Sequence, residues 1–335
     1  MSLHVILSID YEVYGDGSGS FEDLLLRPTD QMLGLFDEFG FKLTIMAEVA
    51  EIYAIKNSES HHTISSQIES QLQRAKRAGH DVQLHLHPAW FNAQLRDGVW
   101  QLDFAEYGLP YLSEEKIRDY VERGKAYLEK LLTPVDPGYR CLAFRAGNWL
   151  IQPERTVLDA LCDQGIVIDS SVFDGGRSKV GRYEIDYTEA HHCMLPWRAS
   201  PDNICRQDDA GRIIEIPIYA RRSNVLNMLT WKRIAKQLRL RRGMKNRSSG
   251  MEIGRRSGSM LNWTYPKKFD FTRMTFPELC DYTRTAQRLA ADLAVPCPCV
   301  AIGHTTDVGD LGYLRKYFHW IKQQSDVKIL SLIHI

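Results

Sequence analysis

The chain has 335 residues, of which 44% are hydrophobic and 25% are charged. Lysine plus arginine and aspartate plus glutamate number 42 each, so the whole chain has no net attraction to nucleic acid, and we expect no nucleic-acid partner. A chain of this length can bury one large core, and a single α/β barrel commonly reaches it. Composition alone leaves one domain and two domains equally open.

The N-terminal stretch "MSLHVILSIDYEVYG" places acidic residues directly after a short apolar run. It lacks the basic start and the small-residue cleavage site of a signal peptide. No apolar run approaches the roughly 18–20 residues that span a bilayer. The seven cysteines are odd in number and scattered, which is typical of reduced, buried thiols. These features predict a cytoplasmic protein.

Short β-rich runs alternate with longer helical patterns, which predicts a parallel sheet with crossover helices. The predicted strands are residues 4–9, 41–46, 80–87, 141–147, 166–172, 213–219 and 299–305. The predicted helices are residues 28–40, 65–79, 113–132, 154–165, 276–294 and 313–324. Pro28 suits the start of the first helix, and Gly40 suits its C-terminal cap. A closed or nearly closed barrel accounts best for six to eight such units.

Two histidines stand one residue apart in "QLHLHPAW", residues 83–90. Because a strand has a side-chain period of two, His85 and His87 point to the same face. Neutral imidazole is the commonest nitrogen ligand of metals, so this pair suits a divalent ion. A polar strand face turned to solvent is the alternative. The pair by itself leaves the two interpretations about even until a carboxylate completes the set.

Ionisable residues follow several of the predicted strands. In parallel α/β folds, sites form at the C-terminal ends of the strands. The residues at these ends are Asp10 and Glu12, His85 and His87, Arg145, Asp169, and His304. Each has an ordinary alternative: Asp169, for example, could form an Asx-turn, and His304 could be a satisfied polar residue near the core. It would be unusual for the ionisable residues at all five strand ends to have only such ordinary roles. We therefore expect a functional site at the rim that the C-terminal strand ends form.

Five short motifs appear in the order found in one known family. They are "LSIDYE", "GHDVQLHLHPAW", "FRAGNW", "DSSV" and "VAIGHTTD", between residue 3 and about residue 307. Their order resembles that of the NodB-type polysaccharide deacetylases, carbohydrate esterase family 4. The resemblance implies an α/β fold, a distorted (β/α)7 barrel that forms one domain over residues 1–335. It also implies a hydrolase that removes an N-acetyl group from a sugar in a polysaccharide or in a lipid- or nucleotide-linked glycan precursor.

The motifs depart from the family pattern at three places. Tyr11 stands where the second acid of the first motif is usual, and Glu12 follows one place later. The second motif usually spaces its histidines four apart, but position 89 is Ala, so His87 replaces the missing ligand. Gly147 and Asn148 precede Trp149 where Arg-x-Pro is usual before the aromatic residue. The chain is similar to a divergent branch found in lipopolysaccharide and surface-polysaccharide biosynthesis.

The resemblance implies a divalent metal held by Glu12, His85 and His87. Histidine nitrogen and carboxylate oxygen suit zinc, which is our first expectation, while iron, cobalt or nickel could bind the same donors. Such a metal would keep an open position for water and the acetyl carbonyl.

The resemblance also assigns roles to the other residues of the rim. Asp10 is the implied base and is oriented by Arg145. His304 is the implied general acid, with Asp169 supporting its charge. We expect Trp90, Asn148 and Trp149 to contact the N-acetylated glycan, although buried core positions would explain the tryptophans equally well.

Two other functions stay open at this point. The same site could hydrolyse a different non-peptide C–N amide bond, and a panel of substrates would separate the two activities. The altered motif spacing also allows a metal-free, non-catalytic carbohydrate-binding protein, and metal content would identify it.

Basic residues are concentrated in residues 221–273, which we interpret as an insertion into the barrel. Fifteen lysines and arginines stand there against two acids, Glu252 and Asp270. Residues 229–242 have the pattern of an amphipathic helix, and residues 243–260 that of a mobile loop. A solvated charged face is the slightly favoured interpretation. Alternatively, residues 229–258 dock on anionic lipid or on the phosphate of a linked glycan, at the inner face of the membrane.

Overall fold

The computed structural model describes residues 2–191, 194–224, 264–293 and 295–334. Its strands are β1 (Leu3–Tyr11), β2 (Thr44–Glu48), β3 (Asp81–Leu86), β4 (Gln94–Arg96), β5 (Val99–Gln101), β6 (Ala143–Ala146), β7 (Ile168–Asp169), β8 (Arg177–Val180), β9 (Tyr183–Asp186), β10 (Trp197–Ser200), β11 (Asn203–Gln207), β12 (Ile214–Glu215), β13 (Ala220–Asn224), β14 (Thr264–Lys268), β15 (Cys297–His304) and β16 (Val327–Leu330). Its helices are α1 (Arg27–Phe39), α2 (Val49–Lys56), α3 (His62–Arg77), α4 (Glu114–Leu132), α5 (Arg155–Asp163), α6 (Phe276–Ala291) and α7 (Gly312–Ile321).

The main sheet is parallel in the order β12-β7-β6-β3-β2-β1-β15, and β16 pairs with the start of β1. Isolated parallel bridges join Ile218 to Phe173 beyond β7 and to Val300 in β15, which links the two ends of the sheet. Strand β1 lies between β2 and β15 and is buried almost throughout, as its apolar sequence predicts for a strand covered on both faces. This architecture confirms the predicted α/β fold and the distorted (β/α) barrel.

The first crossover helix has the boundaries that its sequence predicts. Pro28 lies in the first turn of α1, and the helix ends at Gly40, whose φ of 71° is left-handed. The N–H of Gly40 donates to the carbonyls of Asp37 and Phe36. A residue without Cβ adopts this conformation at little cost, which is why the glycine ends the helix here.

The region after α1 differs from the prediction. The second strand was expected over residues 41–46, but β2 runs over Thr44–Glu48 and continues directly into α2, which the sequence pattern did not indicate. Glu48 is both the last residue of β2 and the N-cap of α2, where its side chain accepts from the N–H groups of Ala50 and Glu51. Glutamate is not among the preferred N-cap residues, so no local signal marks this junction.

The predicted basic insertion lies mostly outside the described residues. Strands β13 and β14 pair antiparallel on either side of residues 225–263, so the predicted helix over 229–242 and the predicted loop over 243–260 are not described. The end of the predicted insertion belongs to the barrel, because Asp270 bridges Ile302 of β15. Among the described helices, none combines the length and the apolar character needed to cross a membrane.

Helix α4 packs closely on β3 because it has no side chain at Gly124, where an added Cβ would lie 2.8 Å from Cδ1 of Leu84. We therefore expect Gly124→Val to lower the free energy of unfolding by about 1–3 kcal/mol through overpacking. Gly34 in α1 is the control, since an added Cβ there meets nothing within 4 Å. Gly34→Val should change stability by no more than about 0.5 kcal/mol. Urea denaturation measures both, and equal effects would contradict the close packing.

Candidate functional site

The register of the parallel strands gathers the predicted residues at the carboxyl end of the barrel. Asp10 in β1 is paired with His304 in β15, and His85 in β3 is paired with Arg145 in β6. Directly paired residues of neighbouring strands point to the same face of the sheet. The three strands β1, β3 and β6 thereby bring a carboxylate, an imidazole and a guanidinium into one volume.

Arg145 is completely buried and is held by three partners besides its strand neighbours. Its Nη1 donates to Oδ1 of Asp10 at 2.7 Å, its Nη2 to the hydroxyl of Ser8 at 2.9 Å, and its Nε to the carbonyl of Ser170 at 2.9 Å. A buried charge is tolerated when it is paired and its remaining donors are satisfied. Arg145 therefore fixes one oxygen of Asp10 and leaves the other, Oδ2, facing Nε2 of His304 at 3.5 Å.

The pKa values of Asp10 and His304 are set by burial and by their neighbours. Burial by itself raises the pKa of Asp10, but the charges of Arg145 and His85 outweigh it, so the pKa is lowered. Burial lowers the pKa of His304, against the opposing effect of the Asp10 carboxylate. Asp10 is therefore ionised at neutral pH and can accept a proton, whereas a protonated His304 would release its proton readily.

Glu12, His85 of β3 and His87, which directly follows β3, form the second part of the site. Oε2 of Glu12 lies 2.9 Å from Nε2 of His87 and 3.5 Å from Nε2 of His85. Nδ1 of His85 donates to the carbonyl of Arg145 at 2.8 Å, so the neutral ring carries its lone pair on Nε2, a buried atom that has no hydrogen-bond partner. A histidine that is fixed through one ring nitrogen and presents the other is typical of a metal ligand. These three side chains fit a divalent metal.

A fourth side chain, that of Glu48, lies beside these three, and the sequence analysis does not identify it as a site residue. Ligand atoms of Glu12, Glu48, His85 and His87 all lie within 4.8 Å of one another. Glu48 is fully buried at the end of β2, and burial raises its pKa to about 7. The predicted second strand ended at residue 46, so Glu48 was not recognised as a strand-end carboxylate. If the predicted strand had ended at residue 48, the expectation that site residues lie at strand ends, which identified Asp10, would also have identified Glu48.

Asp169 lies at a strand end, as the sequence analysis expects, but its carboxylate is engaged by groups other than His304. Its carboxylate accepts from the backbone N–H and the hydroxyl of Ser171, at 3.1 and 2.8 Å, and interacts with the buried Glu215. None of these contacts involves His304, and the support of His304 by Asp169 stays a prediction. Besides Asp10, the carboxylates of Asp270 and Asp307 lie near His304, and Oδ2 of Asp307 is 3.8 Å from Nδ1 of His304. Arg273 holds the same oxygen through Nε at 2.6 Å.

The three predicted substrate-binding residues divide into two groups. Trp90 is only 2% exposed, and its ring packs against Trp100 at 5.5 Å, so it belongs to the core and its predicted sugar contact is wrong. Trp149 and Asn148 lie at the rim. The Trp149 ring is 5.9 Å from that of His304, and Nδ2 of Asn148 is 3.3 Å from Nδ1 of His87.

The glycine of "FRAGNW" is required by the position of His87. An added Cβ at Gly147 would lie 2.6 Å from the carbonyl oxygen of Leu86 and 2.8 Å from the His87 ring. No side chain fits between these atoms without moving the imidazole. Gly147, one of the residues at which this motif departs from the family pattern, therefore leaves room for the His87 ring.

We expect the free energy of unfolding of the chelator-treated protein to fall as the pH rises from about 6.5 to about 9. Burial by itself lowers the pKa of His85, but Asp10, Glu12 and Glu48 outweigh it and raise the pKa to about 9. The folded state thus keeps a proton that the unfolded state loses above its ordinary value. The stability from this proton is present below about pH 6.5 and is lost through about pH 9, on the order of 1 kcal/mol per pH unit.

Urea denaturation at several pH values measures this slope. His85→Gln should reduce it, because the extra proton of the folded state is then missing. His62→Gln, which changes an exposed histidine of α3, should leave it unchanged. An undiminished slope in His85→Gln would show that other groups cause the pH dependence.

The sequence matches no family model and no curated protein. Among solved structures, the chain is similar to a protein from Mycobacterium smegmatis named as a polysaccharide deacetylase, with a TM-score of 0.51 and 14% identity over 99% of this chain and 88% of that one. It is similar to Puue allantoinase, with a TM-score of 0.52 and 14% identity over 99% and 88% of the two chains. It also resembles a 4-alpha-glucanotransferase from Thermococcus litoralis, with a TM-score of 0.55 and 14% identity over 99% of this chain and 40% of that one.

Identities this low show the fold alone, and these neighbours act in different reactions. Together with the barrel topology, they confirm the resemblance that the five motifs indicated, as far as the fold is concerned. The chain has the fold of the NodB-type polysaccharide deacetylases of carbohydrate esterase family 4.

Proposed function

We propose that the protein is a metal-dependent hydrolase that removes the N-acetyl group from an N-acetylated sugar, in a polysaccharide or in a lipid- or nucleotide-linked glycan precursor. The observation that supports this function best is the convergence of Glu12, His85 and His87 on one point beside the Arg145–Asp10 ion pair. A set of metal donors next to a base and an imidazole suits the metal-assisted hydrolysis of an amide.

Glu12, His85 and His87 would hold the metal. Zinc is the first expectation from this donor set, and iron, cobalt or nickel would also bind it. A bound divalent metal lowers the pKa of water and polarises the acetyl carbonyl.

Asp10 is the proposed base. Arg145 holds its Oδ1, so only Oδ2 is available to take the proton of the attacking water. Because the lowered pKa keeps this carboxylate ionised, the base is ready at neutral pH.

His304 is the proposed general acid. Its Nε2 lies 3.5 Å from Oδ2 of Asp10, so a proton taken up by Asp10 can pass to the imidazole and then to the departing amine. Burial favours release of that proton by lowering the pKa of His304. Asp307 takes the orienting role first expected of Asp169, since it faces Nδ1 of His304.

Trp149 and Asn148 are proposed to contact the sugar. Both lie beside His304 and His87 at the open edge of the site, where an aromatic face suits the apolar face of a sugar ring. The proposed docking of residues 229–258 on anionic lipid or phosphate, and with it a place at the membrane, stays a prediction carried only by the excess of basic residues.

Purified protein should contain about one transition-metal ion per chain, because the donors fit a metal with histidine and carboxylate ligands. It should release acetate from N-acetylated sugar oligomers, lose this activity with a chelator, and recover it with Zn²⁺. His85→Ala/His87→Ala should lose both metal and activity. Plasma mass spectrometry and an acetate assay are the two measurements.

The matched control is His62→Ala/His319→Ala, which removes two exposed histidines and should keep the metal and the activity. Bound metal without acetate release, but with hydrolysis of small cyclic amides, would favour the second activity considered above. An absence of metal even after reconstitution would reject the hydrolase and leave carbohydrate binding.

Asp307→Asn should lower kcat by about 10–100-fold while metal content stays at the wild-type level, because the substitution removes the carboxylate facing His304 and no metal donor. It should also shift the limb of the pH–kcat profile that reports the general acid. Asp310→Asn, an exposed acid on the same loop, is the control and should behave as wild type. An unchanged pH profile in Asp307→Asn would contradict the orienting role.

A further inference from the structure

A fourth carboxylate faces the proposed metal ligands, and its position is set by strand pairing. Glu48 is the direct partner of His85 in the parallel register of β2 and β3, so the two side chains point to the same face. Glu48 is 0% exposed and His85 is 1% exposed. The closeness of the two groups is therefore a consequence of the sheet and needs no flexible loop.

The two oxygens of Glu48 have different surroundings. Oε1 accepts from the backbone N–H of Ala50 at 3.0 Å and of Glu51 at 3.4 Å, which caps helix α2. Oε2 is buried and has no hydrogen-bond partner. A cap needs only one oxygen, and aspartate, serine, threonine or asparagine serve it better than glutamate.

An unpartnered buried carboxylate oxygen is unfavourable, and so is the unpartnered Nε2 of His85 beside it. Both atoms belong to the group of four whose ligand atoms lie within 4.8 Å of one another. One cation would satisfy both atoms together with Glu12 and His87.

We infer that Glu48 is a further protein ligand of the metal centre, so that the donor set is two histidines and two glutamates. The inference rests on the proposed metal site and adds to it a residue from a strand that none of the five motifs includes. Two carboxylates balance the charge of a divalent ion, and their oxygens make the set harder than two histidines and one carboxylate alone. Glu48 thereby links metal binding to the start of helix α2.

The test is the affinity for Co²⁺, measured by competition with a chromophoric chelator, together with the visible spectrum of bound Co²⁺. Glu48→Gln should weaken binding by at least about 100-fold, beyond the 10–100-fold loss typical of a residue that only orients a ligand. The spectrum of any Co²⁺ still bound should differ from wild type, because a ligand has been removed.

Glu48→Asp separates ligation from capping. Aspartate is a good N-cap, so the metal-free variant should melt close to the metal-free wild type. Its carboxylate is one methylene shorter, so we expect Co²⁺ affinity to fall as it does in Glu48→Gln. Retained affinity in Glu48→Asp would show that Glu48 acts only through the helix cap and would overturn the inference.

Glu51→Gln is the matched control for the loss of a buried carboxyl group at the start of α2. Glu51 is also buried in the first turn of α2, but its Oε2 accepts from the N–H of Val13 at 3.1 Å. Its variant should keep the Co²⁺ spectrum of the wild type. An equal loss of affinity in Glu51→Gln and Glu48→Gln would overturn ligation in favour of a general effect of replacing a buried carboxyl group in this part of the chain. If the wild-type protein binds no Co²⁺, the proposed metal-dependent function is rejected. If the wild type binds Co²⁺ and the Glu48 variants bind it with the same affinity, only the inference about Glu48 is rejected.

Discussion

The buried guanidinium of Arg145 connects the two halves of the candidate site. Its side chain holds Asp10, and its own backbone carbonyl accepts from Nδ1 of His85. A fully buried cation is costly unless every donor finds a partner, and here Ser8 and Ser170 supply the remaining ones. One residue therefore sets both the ionisation of the proposed base and the orientation of a proposed metal donor. Removing it would leave Asp10 buried without its counter-charge.

The altered first motif follows from the period of a strand. Asp10 and Glu12 are two residues apart, so both reach the site, while Tyr11 between them points to the other side. Tyr11 is 1% exposed, and its hydroxyl donates to Gln71 of helix α3 at 2.9 Å. The inserted aromatic residue thus packs a crossover helix against β1. The acid-x-acid spacing is compatible with both a base and a ligand on one strand.

The region of His304 differs from what the motifs alone imply. Its carboxylate neighbours include Asp10, Asp270 and Asp307, and Asp307 is held by Arg273 from the segment after β14. Asp169 instead lies with Glu215 inside the barrel, where burial raises the pKa of both carboxyls. The end of the predicted basic insertion therefore supports the proposed general acid, a contact between residues far apart in sequence.

Local sequence patterns by themselves determined much of the secondary structure and part of the candidate site. The alternation of strands and helices, the glycine that ends α1, and the shared face of His85 and His87 all follow from short-range periodicity and backbone preference. Only the tertiary structure decided that Asp307 faces His304, that Trp90 lies in the core, and that Glu48 lies beside the proposed metal donors. Periodicity tells which face of its own strand a residue occupies. Which residues meet across strands depends on sheet order, register and the exact strand ends, and these are set by packing between distant parts of the chain.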